Sequence, residues 1–106
     1  MQTTITARHC EISDALRDRA RTVVERLGVF ARRPIESAVV FGTDGGQATA
    51  ELRLHVARGE LLVARGDADD HRTALDRAEE KLRHQLDKDK ASTRTRRSRD
   101  TQPKLG

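Results

Sequence analysis

His9-Cys10-Glu11 sets a thiol between an imidazole and a carboxylate, the residue types from which a nucleophilic site is made. Adjacent residues on an extended segment point to opposite faces, so these groups do not converge, and an ordinary structural or surface role is expected for them. Asp69-Asp70-His71 offers oxygen and imidazole ligands for a metal. An Asp just before a helix is a cap far more often than a ligand, and no second His or Cys stands at the spacing that zinc requires. Gly42, Gly45 and Gly46 lead into a strand, whereas a phosphate-cradling loop opens a helix. No catalytic residue, metal or cofactor is therefore expected. What remains is the chemistry of fixed cations: Arg17, Arg21 and Arg26 in one stretch, then Lys81, Arg83, His84, Gln85, Lys88 and Lys90 in another, with Arg94, Arg96, Arg97, Arg99 and Lys104 behind them.

These side chains need elements to hold them. Thr3 and Ile5 alternate with polar neighbours over Gln2 to Ala7, which suits a short strand. Ser13 can cap a helix with Asp14 in its first turn and Gly28 as its stop. Ile12, Leu16, Ala20, Val23, Val24 and Leu27 form the inner face of that helix. After Pro34, the residues Ile35, Ser37, Val39 and Phe41 share one face of a second strand, and Gly42 to Gly46 reads as a hairpin turn. Ala48, Ala50, Leu52, Leu54 and Val56 alternate with Thr49, Glu51, Arg53 and His55 in a third strand, the clearest of the set. Arg58-Gly59 turns into a fourth strand, Glu60 to Arg65, with Leu61 and Val63 expected inward. Asp67, Asp69 and Asp70 can cap a last helix over residues 74–90, whose apolar side is Leu75, Ala78, Leu82 and Leu86. The order predicts a two-layer α+β domain, βαβββα, with a four-stranded sheet and both helices packed on one face.

At 106 residues there is one domain, expected over 1–90, followed by a basic tail over 91–106 that composition reads as disordered in isolation. Hydrophobic residues are 35% of the chain, which allows a single thin core and no deep, lidded cavity. The net charge of +4 is unevenly placed. Residues 1–33 hold 7 basic and 4 acidic groups, residues 34–70 hold 3 and 7, and residues 71–106 hold 11 and 6. Two basic ends flank an acidic middle, and the partner such a surface fits is a polyanion, RNA first. With Phe30 and Phe41 as the only aromatic rings besides histidine, base stacking is not available, so binding would rest on phosphates and RNA shape. The lone cysteine and the absence of a basic-then-apolar leader suggest a reducing cytoplasm, and no apolar run is long enough for a bilayer.

Several strings, in order, resemble the ribosome hibernation promoting factor family over residues 1–90. They are Ile5-Thr6, Glu11-Ile12-Ser13-Asp14-Ala15-Leu16-Arg17, Arg26-Leu27, Leu54-His55-Val56, Gly59-Glu60, Asp70 before Ala74-Leu75-Asp76, and Lys81-Leu82 with Gln85-Leu86, Lys88 and Lys90. The resemblance implies a fold similar to a double-stranded RNA-binding domain with an extra first strand. It implies a protein that occupies the messenger and transfer RNA channel of the small ribosomal subunit and inhibits translation under stress and in stationary phase. It also implies RNA contacts from Arg17, Arg26, Lys81, Gln85, Lys88 and Lys90. Arg72, Val23 and His84 stand where relatives typically carry Tyr, Lys and Arg, and Arg83 beside His84 joins it as a candidate contact. The chain resembles the short type, a monomer when free, whose partners are the small subunit, its ribosomal RNA and a second hibernation factor. A competing reading from the residues is a protein-interaction module that uses an open sheet face around Glu51, Arg53, His55 and Leu62.

Overall fold

The computed structural model describes residues 1–31, 34–56 and 60–101, with side chains through Asp87. Its elements are β1 (Gln2–Ala7), α1 (Asp14–Phe30), β2 (Pro34–Asp44), β3 (Gln47–Val56), β4 (Leu61–Ala68) and α2 (His71–Thr101). The order is the predicted one. The four described strands form one sheet in the order β1-β2-β3-β4, with β1 parallel to β2 and the other pairs antiparallel.

Ser13 starts α1: its backbone is extended and its hydroxyl accepts from the Leu16 N–H at 3.1 Å, filling one of the donors that a helix start leaves open. The helix passes Gly28 and ends at Phe30, with Ala31 as its C-cap donating to Gly28 O. Asp70 performs the same service for α2, accepting from both the N–H and the hydroxyl of Thr73, so that helix begins at His71, earlier than the apolar spacing alone suggested. The β2–β3 turn is tighter than expected. Gly42, Thr43 and Asp44 stay in the strand, and Gly45 and Gly46 alone make the turn at φ of 58° and 82°, the two left-handed residues of a type I′ hairpin.

The core lies between the helices and one sheet face. Ala20, Val23, Val24 and Leu27 of α1 and Ala74, Leu75, Ala78, Leu82 and Leu86 of α2 meet Val39, Phe41, Ala50, Leu52, Leu54 and Val56. On β2 the inward set is Ser37, Val39 and Phe41, while Ile35 is 52% exposed because the β2–β3 register slips between Pro34 and Glu36.

β4 takes the opposite phase from the one expected. Ala64, Gly66 and Ala68 are buried and Leu62 packs against the core, whereas Leu61 and Val63 are exposed. Gly66 explains the inversion: a Cβ there would lie 2.7 Å from Ala78 N and 2.9 Å from Arg77 Cβ, with Ala74 O also in its way. The helix backbone approaches β4 so closely that only small residues fit between them. Leu62 is accordingly removed from the open face, which carries Glu51, Arg53, His55, Leu61, Val63 and Arg65.

Candidate nucleic-acid interface

Helical spacing decides where each candidate cation falls. Arg17 and Arg21, four residues apart, share the outer flank of α1. Arg17 lies beside β1, its Nη1 directed at Ile5 O at 3.5 Å, and Arg21 is exposed. Arg19 and Arg26 lie on the other flank, facing α2. Arg19 donates through Nε and Nη2 to Asp76 Oδ1 at 3.2 and 2.8 Å. Arg26 makes a bidentate pair with Glu79, Nε to Oε2 at 2.8 Å and Nη2 to Oε1 at 3.1 Å. The hydrogen bond from Glu79 and then its charge raise the Arg26 pKa above its ordinary value. Arg26 thus joins the two helices, and its charge is matched.

On α2, Arg77, Lys81 and Gln85 recur every four residues along the flank that overhangs β4. Each donates to an edge carbonyl: Arg77 Nη1 to Asp67 O at 2.7 Å, Lys81 Nζ to Arg65 O at 2.8 Å, and Gln85 Nε2 to Val63 O at 2.7 Å. A carbonyl carries no formal charge, so Arg77 and Lys81 keep their positive fields while being held in place. His84 is exposed beside them, with no hydrogen-bond partner among the described residues. Arg83 lies on the α1 side instead, its Cζ 4.9 Å from the Phe30 ring centroid in cation–π geometry. Lys88 and Lys90 continue α2, but their side chains lie outside the described residues.

The expected residues are therefore divided among three places. Lys81, His84 and Gln85 share the β4-side rail of α2, Arg26 and Arg83 sit between the helices, and Arg17 lies toward the β1 edge. The two outer rails are separated by a four-stranded sheet, roughly 14 Å for three strand spacings. Sequence reasoning overlooked Arg77 and Arg19. The i, i+4, i+8 series Arg77-Lys81-Gln85 was a legible signal for the first, while the pairing of Arg19 with Asp76 depends on how two distant helices pack.

Of the groups considered for other chemistry, His71, Asp70 and Cys10 are engaged in structure. His71 Nε2 is 2.8 Å from Gly42 O, and its ring meets Phe41 edge to face at 5.8 Å. Asp70 caps α2, and its bonds to the Thr73 hydroxyl and N–H hold its carboxyl below the ordinary carboxylate value. His9 is exposed with a left-handed φ of 55°, and Cys10 packs partly against the core.

Residues 3–94 match a family model described as Sigma 54 modulation protein / S30EA ribosomal protein. The chain is similar to the N-terminal domain of Protein Y from Thermus thermophilus, at 29% identity and a TM-score of 0.70 over 81% of this chain and 96% of that one. It shares its fold with a ribosomal subunit interface protein from Coxiella burnetii, at 22% identity and a TM-score of 0.73 over 86% of this chain and 99% of that one. Among curated proteins none matches.

Proposed function

The chain belongs to the Sigma 54 modulation protein / S30EA ribosomal protein family, and on that premise we propose that it binds ribosomal RNA of the small subunit in the messenger and transfer RNA channel. By occupying that channel in stressed or stationary cells it would inhibit translation, acting in the cytoplasm without chemistry and without a cofactor. The observation that carries this reading is the β4-side rail of α2, where Arg77, Lys81, His84 and Gln85 stand in a row along one flank. Anchoring on carbonyls orders the long side chains before any RNA arrives. Less side-chain entropy then remains to be lost on binding.

Lys88 and Lys90 extend the row in sequence, and Arg17 with Arg21 provides a second row across the sheet. Arg26 is assigned a different part. It holds α1 against α2 through Glu79, which keeps the two rows at a fixed spacing. A double-stranded RNA-like shape with phosphates on both sides of a groove suits two rows better than one continuous patch.

Co-sedimentation with small subunits in sucrose gradients tests the proposal. Binding is expected to weaken steeply with salt, with a log–log slope of about −0.9 for each phosphate neutralised, and Lys81→Glu should reduce that slope by about 1. Binding that ignores salt would overturn the reading. The competing reading, a protein-interaction surface on the open sheet face, finds support in exposed Leu61 and Val63 beside Arg53. Recovery of a protein partner after nuclease treatment would favour it.

A further inference from the structure

On the sheet face that the helices leave uncovered, a hollow of about 310 Å³ opens over Gly42. The strand register brings its walls together: Gly42 lies opposite Thr49, Val40 opposite Glu51, and Glu51 opposite Arg65. All of them take the phase opposite to the buried side chains of their strands. Arg8 N–H donates to Phe41 O at 2.8 Å, which keeps the end of β1 beside the hollow. Next to it, the left-handed φ of 55° at His9 interrupts the alternation of an extended chain, so Arg8 and His9, though adjacent, both line the same space. Gly42 forms the floor, with Thr49 Oγ1 only 3.1 Å from where a Cβ would stand.

The rim is divided by charge. On one side the Arg8 guanidinium and the His9 imidazole have no hydrogen-bond or ion-pair partner among the described residues. On the other, Asp44 Oδ2 accepts from Arg65 Nη2 at 2.8 Å and Glu51 Oε2 accepts from Arg53 Nε at 2.9 Å. Each carboxylate is held by one oxygen, and its second oxygen has no partner among the described residues. Fixed acceptors of this kind suit a neutral donor such as a vicinal diol, and an unpaired guanidinium beside an imidazole suits a phosphate. Between them, bare peptide at Gly42 and the methyl groups of Val40 offer a flat, weakly polar floor for a ring. Phosphate, diol and flat ring occur together in a nucleotide. The volume lies at the small end of ligand pockets, which run from about 300 to 1,000 Å³, so one nucleotide unit matches it better than two.

We propose that the hollow over Gly42 is a binding site for a single ribonucleotide, with Arg8 and His9 on its phosphate and Glu51 and Asp44 on the ribose hydroxyls. The ligand chemistry is the same for a free nucleoside monophosphate and for an unpaired nucleotide of an RNA strand. The site does not rest on the ribosomal reading, since it opens on the sheet face opposite α1 and α2 and uses none of the α2 rail. Because the hollow is open, affinity beyond that of phosphate alone has to come from the ribose and the ring together.

The test follows the backbone amides of the full chain by nuclear magnetic resonance. Adenosine monophosphate, deoxyadenosine monophosphate, adenosine, inorganic phosphate and a short single-stranded RNA are titrated in separately. Saturable shifts are expected at Gly42, Thr49 and Glu51 with adenosine monophosphate. The deoxy form should bind about tenfold more weakly, as should the Arg8→Gln variant with adenosine monophosphate, the loss expected for one hydrogen bond to a charged group. Gly42→Val fills the floor and should abolish the shifts, with circular dichroism to verify the fold; if that variant does not fold, Arg8→Gln, at an exposed position, decides. Short RNA that binds more tightly than the monophosphate, with the same sensitivity to Arg8→Gln, assigns the ligand to a strand, and the reverse order assigns it to a free nucleotide. The proposal is overturned if no nucleotide gives saturable shifts at those three amides, or if Arg8→Gln binds as wild type does. Inorganic phosphate, adenosine or the deoxy form binding as tightly as adenosine monophosphate overturns it as well.

Discussion

Replacing Gly66 with alanine probes the contact on which the α2 rail depends. The added Cβ would lie 2.7 Å from Ala78 N and 2.9 Å from Arg77 Cβ, while relaxed carbon contacts are about 3.5 to 4.0 Å. Its nearest neighbours are helix backbone, so no rotamer change relieves the overlap, and α2 must withdraw from β4 by about 1 Å. Overpacking a close contact costs about 1 to 3 kcal/mol, and a site walled by backbone belongs at the upper end. Withdrawal also loosens Leu75, Ala78 and Leu82, all buried, and stretches the bonds from Arg77, Lys81 and Gln85 to β4. For a domain of this size about 2 to 3 kcal/mol corresponds to a fall of roughly 10 to 20 °C in Tm. Circular dichroism melts of wild type and Gly66→Ala measure it, with urea unfolding to verify that the m-value is unchanged. A Gly66→Ala protein melting within about 2 °C of wild type would refute the close seating of α2 on β4.

Gly46→Ala supplies a contrast, since nothing lies within 4 Å of its Cβ but its φ is 82°. Its cost is purely conformational, of order 1 kcal/mol, and should appear as a Tm loss of a few degrees without change at α2. Arg26→Gln breaks the bidentate pair with Glu79 across the helices; because Arg26 is half exposed, the stability loss should stay within about 1 kcal/mol and shrink in high salt, as read by melts with added sodium chloride. In the sedimentation assay it should cost less binding than Lys81→Glu, since the Arg26 charge is already matched. Asp70 gives a pH signature: its folded pKa is depressed by Thr73, so its contribution is complete above the unfolded carboxylate value of about 3.9 and is lost as pH falls through the lower folded value. Asp70→Ala should therefore lower Tm at neutral pH and flatten the acid side of the Tm–pH curve, and an unchanged acid limb would contradict its capping role.

The sequence by itself determined the element order, the caps and the strongest strand. Ser13 and Asp70 act at their helix starts because their bonds are local, to residues three positions on, and no tertiary contact has to form first. β3 was legible because its large apolar residues all fall on one phase, and the family resemblance was legible because its strings preserve order along the chain. β4 was not, since a period of two has two phases and Leu61 and Val63 carry more apolar surface than Ala64, Gly66 and Ala68. Only the approach of α2 decides between them: where a helix backbone comes that near, volume outweighs hydrophobicity and the small residues turn inward. The same holds for the cations. Helical spacing assigns each Arg or Lys to a flank, but which flank faces Asp76 and Glu79, which overhangs β4 and which looks to solvent is fixed by packing between segments 16 to 57 residues apart. Charge is written in the chain, whereas its neutralisation depends on a neighbour brought close by the fold.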